Sequence, residues 1–239
     1  MKTKPKAILP AILTAAAFLC FLIACFLLTE ITIRPAWELL VLFLLPALVL
    51  LVLTILIRVG VIAPMMGNVL SVVLAVLFFM VCAAGLLFLC FRAAAQPLTD
   101  VSLYETVLKR HGYPDAELIS QFPPEIPETA ENVEFFYQPQ VLQGAGVHRL
   151  SFELPDAAAR PYVEGWEETA IWHGSLSKLQ SSPLSSFGAE YTVGQYVGAD
   201  AQVWVFLAAP YHPESWNHGK LALAARSEDG RTLVYSSEW

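Results

Sequence analysis

Three long apolar runs crowd the first 92 residues, and short alternations of apolar and polar positions fill much of the rest. Ala7 to Leu28, Leu39 to Ile57 and Val59 to Phe91 hold 22, 19 and 33 residues without a charge. A helix crossing the hydrocarbon layer of a membrane needs ~20 residues. The third run would reach about 50 Å at ~1.5 Å per residue, beyond the ~30 Å layer, so part of it should be connector. Pro64 and Gly67-Asn68 mark the expected break. The pattern predicts three spans near 7–28, 38–58 and 69–91, with residues 1–6 ahead of them and 93–99 as a tether.

Residues 100–239 carry a different pattern. Ser102-Leu-Tyr-Glu105 has capping-box spacing, Leu103, Tyr104, Val107 and Leu108 supply an apolar side, and Gly112 stops the helix. Pro123, Pro124 and Pro127 predict an extended loop over 121–131. Val133, Phe135 and Tyr137 alternate with polar neighbours, as do Leu150, Phe152 and Leu154, and Gln143 to Gly146 lies between them. That is a hairpin with one buried face. Asp156 is placed to cap a helix with Val163, Trp166 and Ala170 on one face and Glu164, Glu167 and Glu168 away from it.

Farther along, residues 174–188 read as a loop and Glu190 to Val197 as a strand. Gln202 to Leu207 is a strand apolar on both faces, hence central or covered. Leu221 to Arg226 and Arg231 to Tyr235 form a hairpin around Asp229-Gly230. Two hairpin groups with helices between them predict an α+β domain with a mainly antiparallel sheet.

Charge separates the same two parts. Residues 1–92 carry 6 Lys and Arg against 2 Glu, whereas 93–239 carry 8 against 19 acids. Lys2, Lys4, Lys6 and Arg58 would lie on one side of the membrane, Arg34 and Arg92 on the other. The basic excess puts the N-terminus in the cytoplasm and, after three crossings, the acidic domain outside. Trp37 suits an interfacial anchor, and Pro46 should kink the second span. The acidic tail argues against nucleic acid and against anionic headgroups as partners, since both need basic patches.

All four cysteines lie in the apolar runs, so the tail has neither a disulfide nor a thiolate metal site. Leu22-Ile23-Ala24-Cys25 resembles the lipobox of bacterial lipoproteins, in which the cysteine is lipidated. Phe26-Leu27-Leu28 continue the run where a lipoprotein turns polar, so a spanning helix is expected instead. No Asp, Glu, Lys, Arg or His lies inside a predicted span, which favours an anchor over a pump or transporter.

FPPEIPETAENVEFFYQPQVLQGAGVHRLSFELP, Phe122 to Pro155, resembles a segment of uncharacterised membrane-anchored proteins of Gram-positive bacteria. It covers about a seventh of the chain. The resemblance implies a bacterial cell membrane and carries neither an activity nor site residues.

Candidate chemistry is sparse. His212, Glu214 and His218 share one connection and offer imidazole and carboxylate to a divalent metal, but their spacing matches no zinc motif. Ser175-Leu-Ser-Lys178 matches the S-x-x-K nucleophile signature without its companions S-D-N and K-T-G. Glu167-Glu168, Glu125 with Glu128, and Glu228-Asp229 are carboxylate pairs of the kind a glycosidase uses, on a tail whose many acids make such pairs commonplace. Trp166, Trp172, Trp204, Tyr211, Trp216 and Trp239 make the tail rich in aromatic rings, which serve a core or a glycan or peptide contact. Trp172, Tyr211 and Trp216 are the expected contact residues. The sequence thus predicts a membrane-tethered extracytoplasmic binding or assembly module with no cofactor. Its expected partners are the lipid bilayer and another envelope protein or a glycan. The alternative is an extracytoplasmic hydrolase acting on envelope material.

Overall fold

The computed structural model describes residues 7–31, 33, 37–140, 144–184, 189–209 and 219–239. It divides into two compact units, Met1–Ala94 and Ala95–Trp239.

The first unit holds α1 (Ile8–Ile31), α2 (Trp37–Arg58) and α3 (Pro64–Ala95). Two of its stretches, Ile8–Glu30 and Pro64–Arg92, are long and apolar enough to cross a membrane. The apolar part described in α2, Phe43–Arg58, is shorter than the ~20 residues that a crossing takes. Pro46 sits inside α2, and the helix runs on through it.

The expected connector is present but shorter: residues 59–63 separate α2 from α3, and the break ends at Pro64 instead of extending to Gly67-Asn68. Pro64 opens α3, where a missing N–H costs nothing, and the helix then passes through Gly67 and Asn68. The glycine serves close approach instead: a Cβ on Gly67 would stand 2.4 Å from Cδ1 of the fully buried Ile57 of α2. Hydroxyls in this unit bond within their own helices, Thr14 to the Pro10 carbonyl, Thr54 to Leu50 and Ser71 to Gly67, each over four residues. Thr14 and Thr54 also bring their hydroxyls within 3.3 Å of each other across α1 and α2.

The second unit is a six-stranded sheet with helices on both faces. Its strands are β1 (Glu131–Gln138), β2 (Val147–Glu153), β3 (Trp172–Ser175), β4 (Gln202–Ala209), β5 (Lys220–Arg226) and β6 (Thr232–Glu238). Their order is β1-β2-β6-β5-β4-β3, and every neighbouring pair is antiparallel. The two predicted hairpins are present, and β2 pairs with β6 to join them into one sheet.

One face carries Phe135, Tyr137, His148, Leu150, Phe152, Tyr235 and Trp204. It is covered by α4 (Tyr104–Arg110), by the segment around Ile119 and Phe122, and by α5 (Asp156–Thr169). Tyr104 meets Phe135 edge-on at 5.6 Å, and its hydroxyl donates to the Pro123 carbonyl at 2.5 Å. Trp166 of α5 lies 5.2 Å from both Trp204 and Tyr235. The opposite face buries Val203, Val205, Leu221, Leu223, Ala225 and Val234 under α6 (Leu176–Gln180) and α7 (Ala189–Val197). β4 is therefore apolar on both faces because both are covered.

Several sequence expectations need correction. Residues 189–197 form a helix rather than a strand, because Val193 and Val197, one turn apart, both reach the buried cluster on the sheet. Gly198, at φ 87°, ends it. The stretch 174–188 is not wholly loop: it contains the end of β3 and all of α6. The first tail helix is capped not by Ser102 but by Asp100, whose carboxylate accepts the Ser102 N–H at 3.1 Å ahead of a 3-10 turn, Val101–Leu103. Asp156 is the first residue of α5 rather than its cap. Pro155 holds the cap position, and Asp156 pairs with Arg226 of β5. The tether is partly ordered as well, since α3 continues to Ala95 and Leu98 exchanges two 2.8 Å backbone hydrogen bonds with Tyr137 on the outer edge of β1.

Candidate functional site

The residues singled out in the sequence do not assemble into one site. Tyr211, His212, Glu214, Trp216 and His218 lie outside the described residues. Trp172 is described, half-buried on the edge strand β3, where it packs against the cluster under α6 and α7. Ser175 Oγ meets Ser177 Oγ at 3.1 Å while Lys178 is exposed, so the S-x-x-K spacing does not form a bonded pair. Glu125, Glu128, Glu167, Glu168, Glu228 and Asp229 are all exposed to solvent.

The sheet builds a different site around His148, which the sequence reading passed over. His148 lies on β2 directly between Tyr137 of β1 and Ser237 of β6. Strand alternation turns it to the same face as Leu150 and Phe152, so it is carried inward with them and is 0% exposed. Rings surround it: Tyr137 at 4.6 Å, His111 at 4.8 Å, Trp239 at 5.3 Å and Phe122 at 6.2 Å between centroids. Neither ring nitrogen has a hydrogen-bond partner among the described residues.

An unpaired imidazole in such a place costs stability, because a buried donor or acceptor forfeits its bonds to water. Burial, reinforced by the neighbouring His111, pushes the pKa of His148 down to about 3. The ring is therefore neutral near pH 7, with one N–H to donate and one nitrogen to accept. His111 is lowered too, by burial first and then by Arg110, and Tyr137 is pushed up to about 12 by burial. His111 Nε2 and the Tyr137 hydroxyl bond to each other at 2.9 Å.

These groups line a cavity of about 300 Å³, walled by Ala116, Leu118, Ile119 and Pro139 and bordered by Gln140 and Trp239. Among the described residues that line it, none is an acid, a lysine or an arginine. Trp239 reaches the cavity through Gly146, with which it exchanges two backbone hydrogen bonds of 2.8 and 3.1 Å. A Cβ on Gly146 would stand 2.4 Å from the indole, so only glycine lets the ring lie there.

Ser237, the register partner of His148, is also fully buried with an unpaired hydroxyl, but it makes no hydrogen bond to His148 and does not line the cavity. The hydroxyl that does line the cavity beside an imidazole is that of Tyr137, bonded to His111 Nε2. Among the described residues no group of three His, Cys, Asp or Glu side chains is placed to hold a metal ion. The signal that could have found the site is a lone histidine at an inward position of a strongly alternating strand.

A larger apolar cavity, about 480 Å³, lies among the three helices of the first unit, lined by residues such as Phe21, Phe43, Phe79 and Leu86. It lacks polar groups that would orient a ligand. No protein-family model matches the chain, and neither a curated protein nor a solved structure does.

Proposed function

We propose that this chain is a membrane-tethered binding or assembly module of a bacterial envelope, resembling the membrane-anchored proteins of Gram-positive bacteria. In this reading its three apolar helices span the cell membrane with the N-terminus inside, and its sheet unit stands outside as the part that recognises a partner. The observation that carries the binding reading is the buried His148 with two unpaired nitrogens at the wall of a cavity. Natural cores rarely leave such a group unsatisfied, and a bound molecule would satisfy it. The exposed apolar surface of α1 and α3, on which Phe26, Phe79 and Phe88 are each more than 60% exposed, suits hydrocarbon rather than water. The alternative is an extracytoplasmic hydrolase acting on envelope material.

Two measurements test the reading. Protease added to intact spheroplasts should degrade the sheet unit; its protection until the membrane is opened would overturn the orientation. Full-length protein extracted from its membrane in mild detergent and weighed by native mass spectrometry should carry a bound mass that is missing from His148→Phe. A chain that carries no such mass, and whose melting no envelope extract raises, would refute the binding reading.

A further inference from the structure

The cavity's own chemistry narrows what it takes, provided that it is the binding site. We propose that the pocket between His111, Tyr137, His148 and Trp239 binds a flat, uncharged aromatic ring bearing a hydroxyl, a phenol in the simplest case.

Each part of that description rests on a separate feature. Charge is disfavoured by the described lining, which has no carboxylate, ammonium or guanidinium to pair with an ion and is mostly ring and aliphatic wall. The depressed pKa of both histidines agrees, since neither imidazole is held as a cation for an anionic ligand. A flat ring is favoured by the indole of Trp239 and the imidazole of His148, inclined by only 32° to each other at the cavity wall. The hydroxyl follows from what His148 lacks: a neutral imidazole has one donor and one acceptor nitrogen pointing apart, and a hydroxyl can pair with either one of them. A saccharide is a poorer fit, because its several hydroxyls would find few partners among the described lining beyond His148, Gln140 and the His111–Tyr137 pair. A cavity of about 300 Å³ also sits at the small end of ligand pockets, which run from ~300 to ~1,000 Å³.

A phenol ring can come from a free small molecule or from a tyrosine side chain of another polypeptide. The test uses the full chain in detergent, labelled with ¹⁵N-histidine and titrated with p-cresol, toluene, benzoate, benzylammonium, N-acetylglucosamine and N-acetyltyrosinamide. The expected result is that p-cresol shifts the His148 nitrogens and binds at least tenfold more tightly than toluene, about the worth of one hydrogen bond. His148→Phe should erase that ratio. The ratio in the unaltered protein decides the matter even if the variant fails to fold. N-acetyltyrosinamide binding at least as well as p-cresol assigns the ring to a polypeptide partner, and p-cresol binding alone assigns it to a free molecule. Equal affinity for toluene, preference for either ion or for the saccharide, or no binding at all would overturn the proposal. If one of these results came with a His148-dependent mass in the native spectrum, the ligand class would be wrong and the binding reading would stand.

Discussion

The two units turn similar amino acids in opposite directions. In the helical unit only 11% and 6% of the two longest apolar stretches is buried, and Leu, Ile, Val and Phe side chains face outward along both. In the sheet unit the same residue types are turned inward, and among the described residues Ile171 alone stands as a large apolar side chain more than half exposed. Hydroxyls of the helical unit bond to carbonyls of their own helices, and among the described residues the sheet unit leaves polar atoms of His148, Trp204 and Ser237 buried without a partner on one face, against Asn68 in the helical unit. Apolar content alone does not define a core; direction relative to the neighbours does. The unpaired groups on one sheet face mark where folding alone has not satisfied the chain.

The sharpest way to break this contrast is a matched pair of substitutions. Phe152→Ala removes a fully buried ring from the sheet and should cost about 3–5 kcal/mol. Phe88→Ala removes a ring that is 64% exposed on α3 and should leave stability within about 0.5 kcal/mol. Denaturant unfolding of the full chain in detergent, followed by separate probes for each unit, compares them. A large effect at Phe88 would mean that α3 is covered by something in the working protein.

Acid should find the sheet unit next. The unfolded chain takes up a proton on His148 as pH falls through the usual imidazole value of 6.5, while the folded chain resists until about 3. Between those values the unfolded state binds more protons, so stability is full above pH 6.5 and declines as the pH drops. From pH 6.5 to pH 5 the loss should be about 2 kcal/mol. His111, also lowered, adds to it in the same direction. His148→Gln should flatten this part of a stability–pH curve measured by thermal melting, and an unchanged slope would show that the ring is not held neutral.

Gly146→Ala should act more locally. The new methyl collides with the Trp239 indole and drives it from the cavity wall, at a cost of about 1–2 kcal/mol. A red-shifted tryptophan emission with a largely intact circular dichroism spectrum is the expected signature. The smallest effect belongs to the exposed Lys109–Glu105 pair, one helical turn apart at 3.0 Å. Glu105→Gln should cost no more than about 0.3–0.5 kcal/mol, and salt should erase even that.

Much of the architecture was legible because it follows from local pattern. The charge-free runs predict long helices, and strict alternation in Val147 to Leu154 predicts a one-faced strand. The misreadings arose where a neighbour overrode local preference. Gly67-Asn68 looks like a breaker until Ile57 stands against it, and the β-branched stretch ending at Val197 becomes a helix because the sheet offers a surface to Val193 and Val197 together. Histidines 212 and 218 stand close together in sequence, while His148 has no close neighbour in the chain to mark it.

By itself, then, the sequence determined the division into an apolar basic part and an acidic alternating part, the two hairpins and the absence of cysteine from the tail. These depend on periodicity and composition, which any chain carries openly. Only the tertiary structure decided that β2 and β6 pair, and with that pairing it brought His148 beside Ser237. It also closed the ring of His111, Tyr137 and Trp239 around the imidazole, from positions up to 128 residues apart. Contacts at such separation are selected by the packing of whole faces, and no local pattern encodes them.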